Sequence, residues 1–144
     1  CLREVSVQDF LKYEGLLTNE VIKKRVKHVV YENDRVLESV KALKSNDLQR
    51  FGELMNQSHD SLRDLYEVTG KELDTLVDEA RKIKGVLGSR MTGAGFGGCT
   101  VSLVHSDSID EFIRLVGSEY EKKIGYSASF YVSEIGDGGR EEAI

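Results

Sequence analysis

Between Ser89 and Thr100 the chain places Gly93, Gly95, Gly97 and Gly98 within six residues, between two runs that read as β-strands. Glycine tolerates positive φ and lets other atoms approach the backbone closely, at an entropic cost when it is ordered. A cluster this dense predicts a loop shaped around something. Successive N–H groups turned toward one point form a nest for an anion such as a phosphate.

The residues around that loop read as α+β. Ser6 with Asp9 three later predicts an N-cap and a short helix to about Tyr13. A long helix is expected from Asn19 to Lys44, with Ile22, Val26, Val29, Val36, Val40 and Leu43 as its buried face. Asn46 and Gln49 mark the next start, and the stripe Leu48, Phe51, Met55, Leu62 and Leu65 carries that helix to Glu67. Thr69 to Glu72 fits a capping box, opening a third long helix through Ile83. Then the period changes. Val86–Thr92 and Thr100–His105 read as strands, Ser108–Ile124 as a helix, and Ala128–Ile135 as a third strand. Gly136–Arg140 is expected to fray. Segregated helices beside a small sheet, half of a ferredoxin-like pattern, indicate one α+β domain over residues 1–144. A fourth strand is expected from a part of the protein outside these residues.

Charge narrows the partners. Lys and Arg number 20 against 25 Asp and Glu, a net charge of −5 without a basic cluster, which argues against nucleic acid and against a basic membrane surface. A local nest can still bind a phosphorylated ligand. Cys1 and Cys99 make no disulfide framework and suggest a reducing, cytoplasmic compartment. No apolar run reaches membrane-spanning length.

Gly93, Gly95 and Gly98 formally satisfy G-x-G-x-x-G, but a dinucleotide turn must open a helix, and Cys99–Val104 reads as a strand. A Walker A loop also fails, because Cys99 stands where lysine is required. A tight structural connection and an anion nest both remain.

Other polar residues divide in the same way. Gln57–Ser61 interrupts an apolar stripe. It either faces a ligand or the glycine loop, or keeps the Ser58 hydroxyl on its own helix with His59 and Asp60 in solvent. Arg90 could reach a phosphate or be an ordinary paired strand arginine. Cys99 reads as a small buried side chain. Three scattered histidines make no metal site.

Gly88–Thr100 resembles the third conserved motif of the GHMP small-molecule kinases in the form carried by galactokinases. Cys1–Val5, Arg25–Val30 with Glu32-Asn33, Phe51–Met55, Ser58-His59, Ser61–Asp64, Tyr66–Val68, Glu72–Asp74 and Phe130–Val132 are similar to galactokinase segments in the same order. The resemblance implies a GHMP-kinase C-terminal domain, with a ferredoxin-like small antiparallel sheet packed with long helices. It implies a larger two-domain enzyme that moves the ATP γ-phosphoryl group, with Mg2+, to the C1 hydroxyl of galactose. The partners so implied are galactose, ATP and a missing N-terminal kinase domain.

The family's sugar-recognition segment, its serine-containing phosphate motif and its catalytic aspartate match nothing in these 144 residues. No catalytic residue or metal ligand is therefore expected here, and the chain alone is expected to be inactive. The implied site residues are Thr92, Gly93, Ala94, Gly95, Phe96, Gly97 and Gly98, with Arg90 as a possible phosphate contact. Phe96 is expected to anchor the loop on the core, and Ala94, where many relatives have glycine, to keep a negative φ. Competing expectations are a non-catalytic sugar sensor, an N-acetylgalactosamine kinase and a stand-alone interaction module.

Overall fold

The computed structural model describes residues 1–134 and Gly136. Its elements run α1 (Val7–Tyr13), α2 (Glu20–Lys44), α3 (Leu48–Ser61), α4 (Lys71–Ala80), β1 (Val86–Thr92), β2 (Cys99–Val104) and α5 (Ile109–Ile124). A π-helical turn, Leu62–Tyr66, continues α3.

The helix starts are written locally. Ser6 Oγ accepts the Asp9 N–H at 3.0 Å, and Asp9 answers on the Ser6 N–H, which completes the box expected for α1. Asn19 Oδ1 accepts the Ile22 N–H at 3.0 Å and starts α2, which runs 25 residues without proline. The α3 cap is Asp47, one residue beyond the expected Asn46, because Asn46 turns the chain at φ 56°. The capping box expected at Thr69 does not form. Thr69 is buried, and Gly70 at φ 85° opens α4 without a side-chain cap. Gly125 at φ 96° closes α5 in a left-handed C-cap.

β1 and β2 form an antiparallel hairpin in which Arg90 faces Val101 and Thr92 faces Cys99, with an irregularity between Val86 and Gly88. Among the described residues the sheet has two strands, not three. Residues 128–134 join no ladder, and Ile135 lies outside the described residues. Phe130 instead sets its ring edge-on to Phe112 of α5, centroids 6.1 Å apart. Between that segment, α5 and β2 lies a groove of about 770 Å³. Of the polar stretch Gly136–Arg140, only Gly136 is described.

The core is built from Val30 of α2, Leu54 of α3, Leu73 and Val77 of α4, Met91 of β1 and Val116 of α5. The face predicted for α2 is only partly inside. Val26 and Val29 are half-buried, but Ile22, Val36, Val40 and Leu43 are exposed, while His28, Val30 and Ala42 are buried. Apolar spacing marks a stripe without saying which body covers it. In α2 the covered side is the one that carries polar groups to α3.

Candidate functional site

The loop between the strands is held open by its own backbone. Gly93, Gly95 and Gly97 take φ near +84°, +85° and +92°, Gly98 takes +133°, and Phe96 takes +59°. Ala94 is absent from the left-handed set, as expected for a residue with a Cβ. Gly95 is the fixed point. A Cβ there would overlap the Val68 carbonyl oxygen, and the same oxygen accepts the Phe96 N–H at 2.8 Å. Among the described residues, Phe96 is the one member of Gly93–Gly98 whose N–H reaches a carbonyl. The Phe96 ring is not the expected anchor. It is 80% exposed, because left-handed φ at Phe96 directs the side chain away from the core while the main chain makes the attachment. Cys99 is likewise free and exposed, not buried.

Val68 is itself positioned from α2. The π-helical turn ends at Glu67 in a left-handed conformation, φ 59°. Arg25 donates to Glu67 Oε2 at 2.7 Å and to the Leu65 carbonyl, so one guanidinium binds both sides of that corner.

Beneath the loop, α3 closes the edge of β1 that faces away from β2. The Ser89 N–H donates to Asn56 Oδ1 at 2.9 Å, and the Met91 N–H donates to His59 Nδ1 at 3.1 Å. Arg81 holds Asn56 from behind, giving Nε to its Oδ1 at 2.9 Å and Nη1 to Asp60 at 2.7 Å. The approach is possible because two glycines meet. A Cβ on Gly52 would overlap the Leu87 carbonyl, and one on Gly88 would overlap the Gly52 carbonyl. The polar stretch of α3 therefore follows neither expectation: His59 is fully buried, and it serves the strand backbone. Strand N–H groups left unpaired in the interior would be costly, and side-chain acceptors at this spacing satisfy them.

A second polar cluster joins α2 to α3. Ser58 donates to Glu32 Oε1 at 2.5 Å, Arg35 pairs with the same carboxylate at 2.7 Å, and Arg90 Nη1 lies 3.8 Å from it. Arg90 Nε donates to the Met91 carbonyl at 3.0 Å, and the approach of its Nη1 to Glu32 brings this arginine to α2. Burial pushes the Glu32 carboxyl up, but the Ser58 hydroxyl and Arg35 outweigh it and hold the group below its ordinary value. His28 Nδ1 lies 2.9 Å from Ser61 Oγ, and its ring stacks on Tyr66 at 4.6 Å. Burial is the leading cause that lowers both His28 and His59 below the ordinary imidazole value.

The sign of the resulting pH dependence is fixed. Two imidazoles with depressed folded-state values bind fewer protons folded than unfolded below about pH 6.5. Stability is therefore complete above that pH and falls on acidification through the folded-state values. The urea midpoint is expected to drop between pH 7.5 and pH 5.5, before carboxylates titrate. A flat midpoint over that range would contradict buried neutral imidazoles.

The described residues hold no group of three or more His, Cys, Asp or Glu placed for a metal ion. No described helix is long and apolar enough to cross a membrane. Apart from that of Phe96, the N–H groups of Gly93–Gly98 reach no backbone carbonyl among the described residues, and free N–H donors suit phosphate oxygens.

The family model described as "GHMP kinases C terminal" matches residues 39–122, more than half of the chain. The chain belongs to the GHMP kinases. The chain is 56% identical over 140 residues to the galactokinase of Clostridium beijerinckii, covering 97% of this chain and 36% of the relative. It is 49% identical over 140 residues to the galactokinase of Bacillus subtilis, with the same coverage of 97% and 36%. The galactokinase of Lactococcus lactis, solved in complex with galactose, superposes with a TM-score of 0.91 at 52% identity, over 95% of this chain and 35% of that one. The L. major mevalonate kinase, solved with R-mevalonate, shares the fold, with a TM-score of 0.64 at 24% identity over 83% of this chain and 36% of that one. This GHMP chain thus spans about a third of the length of the relatives it matches. Its fold is the GHMP C-terminal fold, an antiparallel strand pair packed with helices.

Sequence reading found the loop but missed its supports. The Val68 carbonyl, Asn56 and Arg81 carry no local signature, since each acts on residues more than seven positions away. The one available signal was Gly52 in the middle of a helix, a position that costs about 1 kcal/mol against alanine unless close packing requires it.

Proposed function

We propose that this chain is the C-terminal part of a galactokinase, and that Thr92–Gly98 forms one wall of the site where the ATP γ-phosphoryl group passes to the C1 hydroxyl of galactose. The observation that carries this reading is the exposed loop whose left-handed glycines leave N–H groups free while Val68 pins it at a single point. Identity to galactokinases over nearly the whole chain supports the sugar. Phosphoryl transfer requires positioning and stabilisation of charge on the phosphoryl oxygens more than it requires side-chain chemistry. Fixed N–H dipoles supply that without reorganisation and can each be worth about 3 kcal/mol in a water-poor site. Mg2+ arrives with ATP as part of the substrate. The catalytic base and the main phosphate loop belong to the rest of the protein, so the isolated chain has no turnover. Arg90, tied to Glu32 and Met91, supports the strand that enters the loop. A cytoplasmic location accompanies this reading.

The test is phosphorylation by the intact protein that carries this chain, with galactose and N-acetylgalactosamine offered separately with ATP. Galactose-dependent ATP consumption is expected. Preference for the acetylated sugar would reassign the substrate, and absence of any sugar-dependent turnover would leave a sensor.

The groove beside β2 fits the same reading. It exposes Val101 and Tyr131 and has the free edge of β2 along one wall. An edge strand over an apolar face accepts a further strand readily. We assign its occupant to a strand from the preceding part of the longer protein. Val101→Asp tests this. Val101 is 47% exposed here, where a substitution facing solvent changes stability by about 0.5 kcal/mol or less. A loss of about 1–3 kcal/mol in the intact protein is expected if a strand covers it. A neutral result would leave the groove open to solvent.

A further inference from the structure

We propose that His59 is a positioning residue for the glycine loop, holding Met91 through Nδ1 in the Nε2–H tautomer that Asp74 selects. The proposal rests on the phosphate-site reading of the loop.

His59 is 0% exposed, and its Nδ1 accepts the Met91 N–H at 3.1 Å. An imidazole that accepts at Nδ1 carries its proton on Nε2 when neutral. Nε2 lies 3.2 Å from Asp74 Oδ1 of α4. Both atoms are buried and neither has an aligned partner, so the two groups face each other slightly out of line. The carboxylate favours a proton on the nitrogen that faces it, which leaves Nδ1 free to accept from the strand.

The position of Met91 explains why this matters for the loop. Met91 is separated from Gly93 only by Thr92. Its side chain packs with Leu62 and Leu73, and Val68 packs on that same cluster. Val68 also receives the Phe96 N–H. The loop is thus tied at its entry through His59 and at its middle through Val68, and both ties rest on one cluster. A shift of Met91 moves the entry against the anchor and swings the intervening N–H groups. Displacements of about 1 Å at a reacting centre can cost on the order of 100-fold in rate. Protonation at Nδ1 would set one donor against another. The charged groups facing His59 are Asp60 and Asp74, which favour the cation, and Arg63 and Arg81, which oppose it together with burial. The imidazole is thereby kept neutral, and the tie to Met91 is kept with it.

The experiment compares His59→Asn with His59→Leu in the intact protein. Asparagine places Oδ1 where Nδ1 stood, whereas leucine fills the space without an acceptor. His59→Leu is expected to lower kcat about 10- to 100-fold and to shift the amide resonances of Met91 and Gly93–Gly98. His59→Asn is expected to restore those resonances and most of kcat, even where its melting temperature falls as far as that of the leucine variant. In the unaltered protein, imidazole 15N shifts at pH 7.5 are expected to report Nε2–H with Nδ1 unprotonated. An Nδ1–H tautomer, or loop resonances equally displaced in both variants, would overturn the proposal. If His59→Leu does not fold, the tautomer measurement and the asparagine variant decide alone. If the unaltered protein transfers no phosphate, the functional reading fails, while the resonances still decide the role of His59.

Discussion

Gly95→Val in the intact protein is expected to reduce kcat/KM for ATP by at least about 100-fold, the scale on which one preorganised donor acts in a transition state. Gly95 sits at φ +85°, where a β-branched residue is strained, and its Cβ would overlap the Val68 carbonyl oxygen. That oxygen accepts the Phe96 N–H, so valine would break the loop's tie to Val68 and displace the free N–H groups on either side. Stability should fall as well, by about 1–3 kcal/mol, because a backbone contact is broken. Gly98→Val separates the two effects. Gly98 at φ +133° has no atom within 4 Å of a built Cβ, so valine there meets strain without a clash. A near-normal melting temperature with lost turnover in Gly98→Val supports a nest for the phosphoryl group. Unchanged turnover in both variants would reduce the loop to a connection between strands.

Gly52→Val is expected to cost about 4 kcal/mol or more and to leave little folded protein at 37 °C. Helix propensity alone predicts the opposite sign for Gly52→Ala, since glycine inside a helix is about 1 kcal/mol worse than alanine. Here packing decides. A Cβ would overlap the Leu87 carbonyl, which is backbone and cannot rotate aside. Relief would require α3 to withdraw from β1, breaking the bonds that Asn56 accepts from the Ser89 N–H and His59 accepts from the Met91 N–H. Urea midpoints of Gly52→Ala and Gly52→Val measure this directly. A gain of stability in the alanine variant would mean that α3 has room to move and that the closed edge of β1 is not tightly set.

The residues that sequence reading located are those whose behaviour is decided within a few positions. Ser6 with Asp9, Asn19 and Gly125 cap helices through bonds between neighbours, at the helix ends expected near Ser6, Asn19 and Ile124. β1 and β2 were legible from their change of period, and the loop from its glycines. The errors have a common origin. Thr69 has the composition of a cap, but burial claimed it, and Gly70 took its place. Phe96 has the composition of an anchor, but the loop is anchored through its main chain. His59 and Asp60 look like a solvated helix face, yet one meets the strand and the other meets Arg81.

From the amino-acid order alone came the number of long helices, the hairpin, the glycine loop and the resemblance to a kinase family, because periodicity, capping and turn chemistry act over short distances along the chain. Only the tertiary structure decided that two glycines from α3 and β1 would touch, that a helix would close the edge of a strand, and that the loop would stand on the Val68 carbonyl. Those contacts join residues about 30 positions apart, and their free energy depends on which surfaces meet in space, a quantity no local pattern contains.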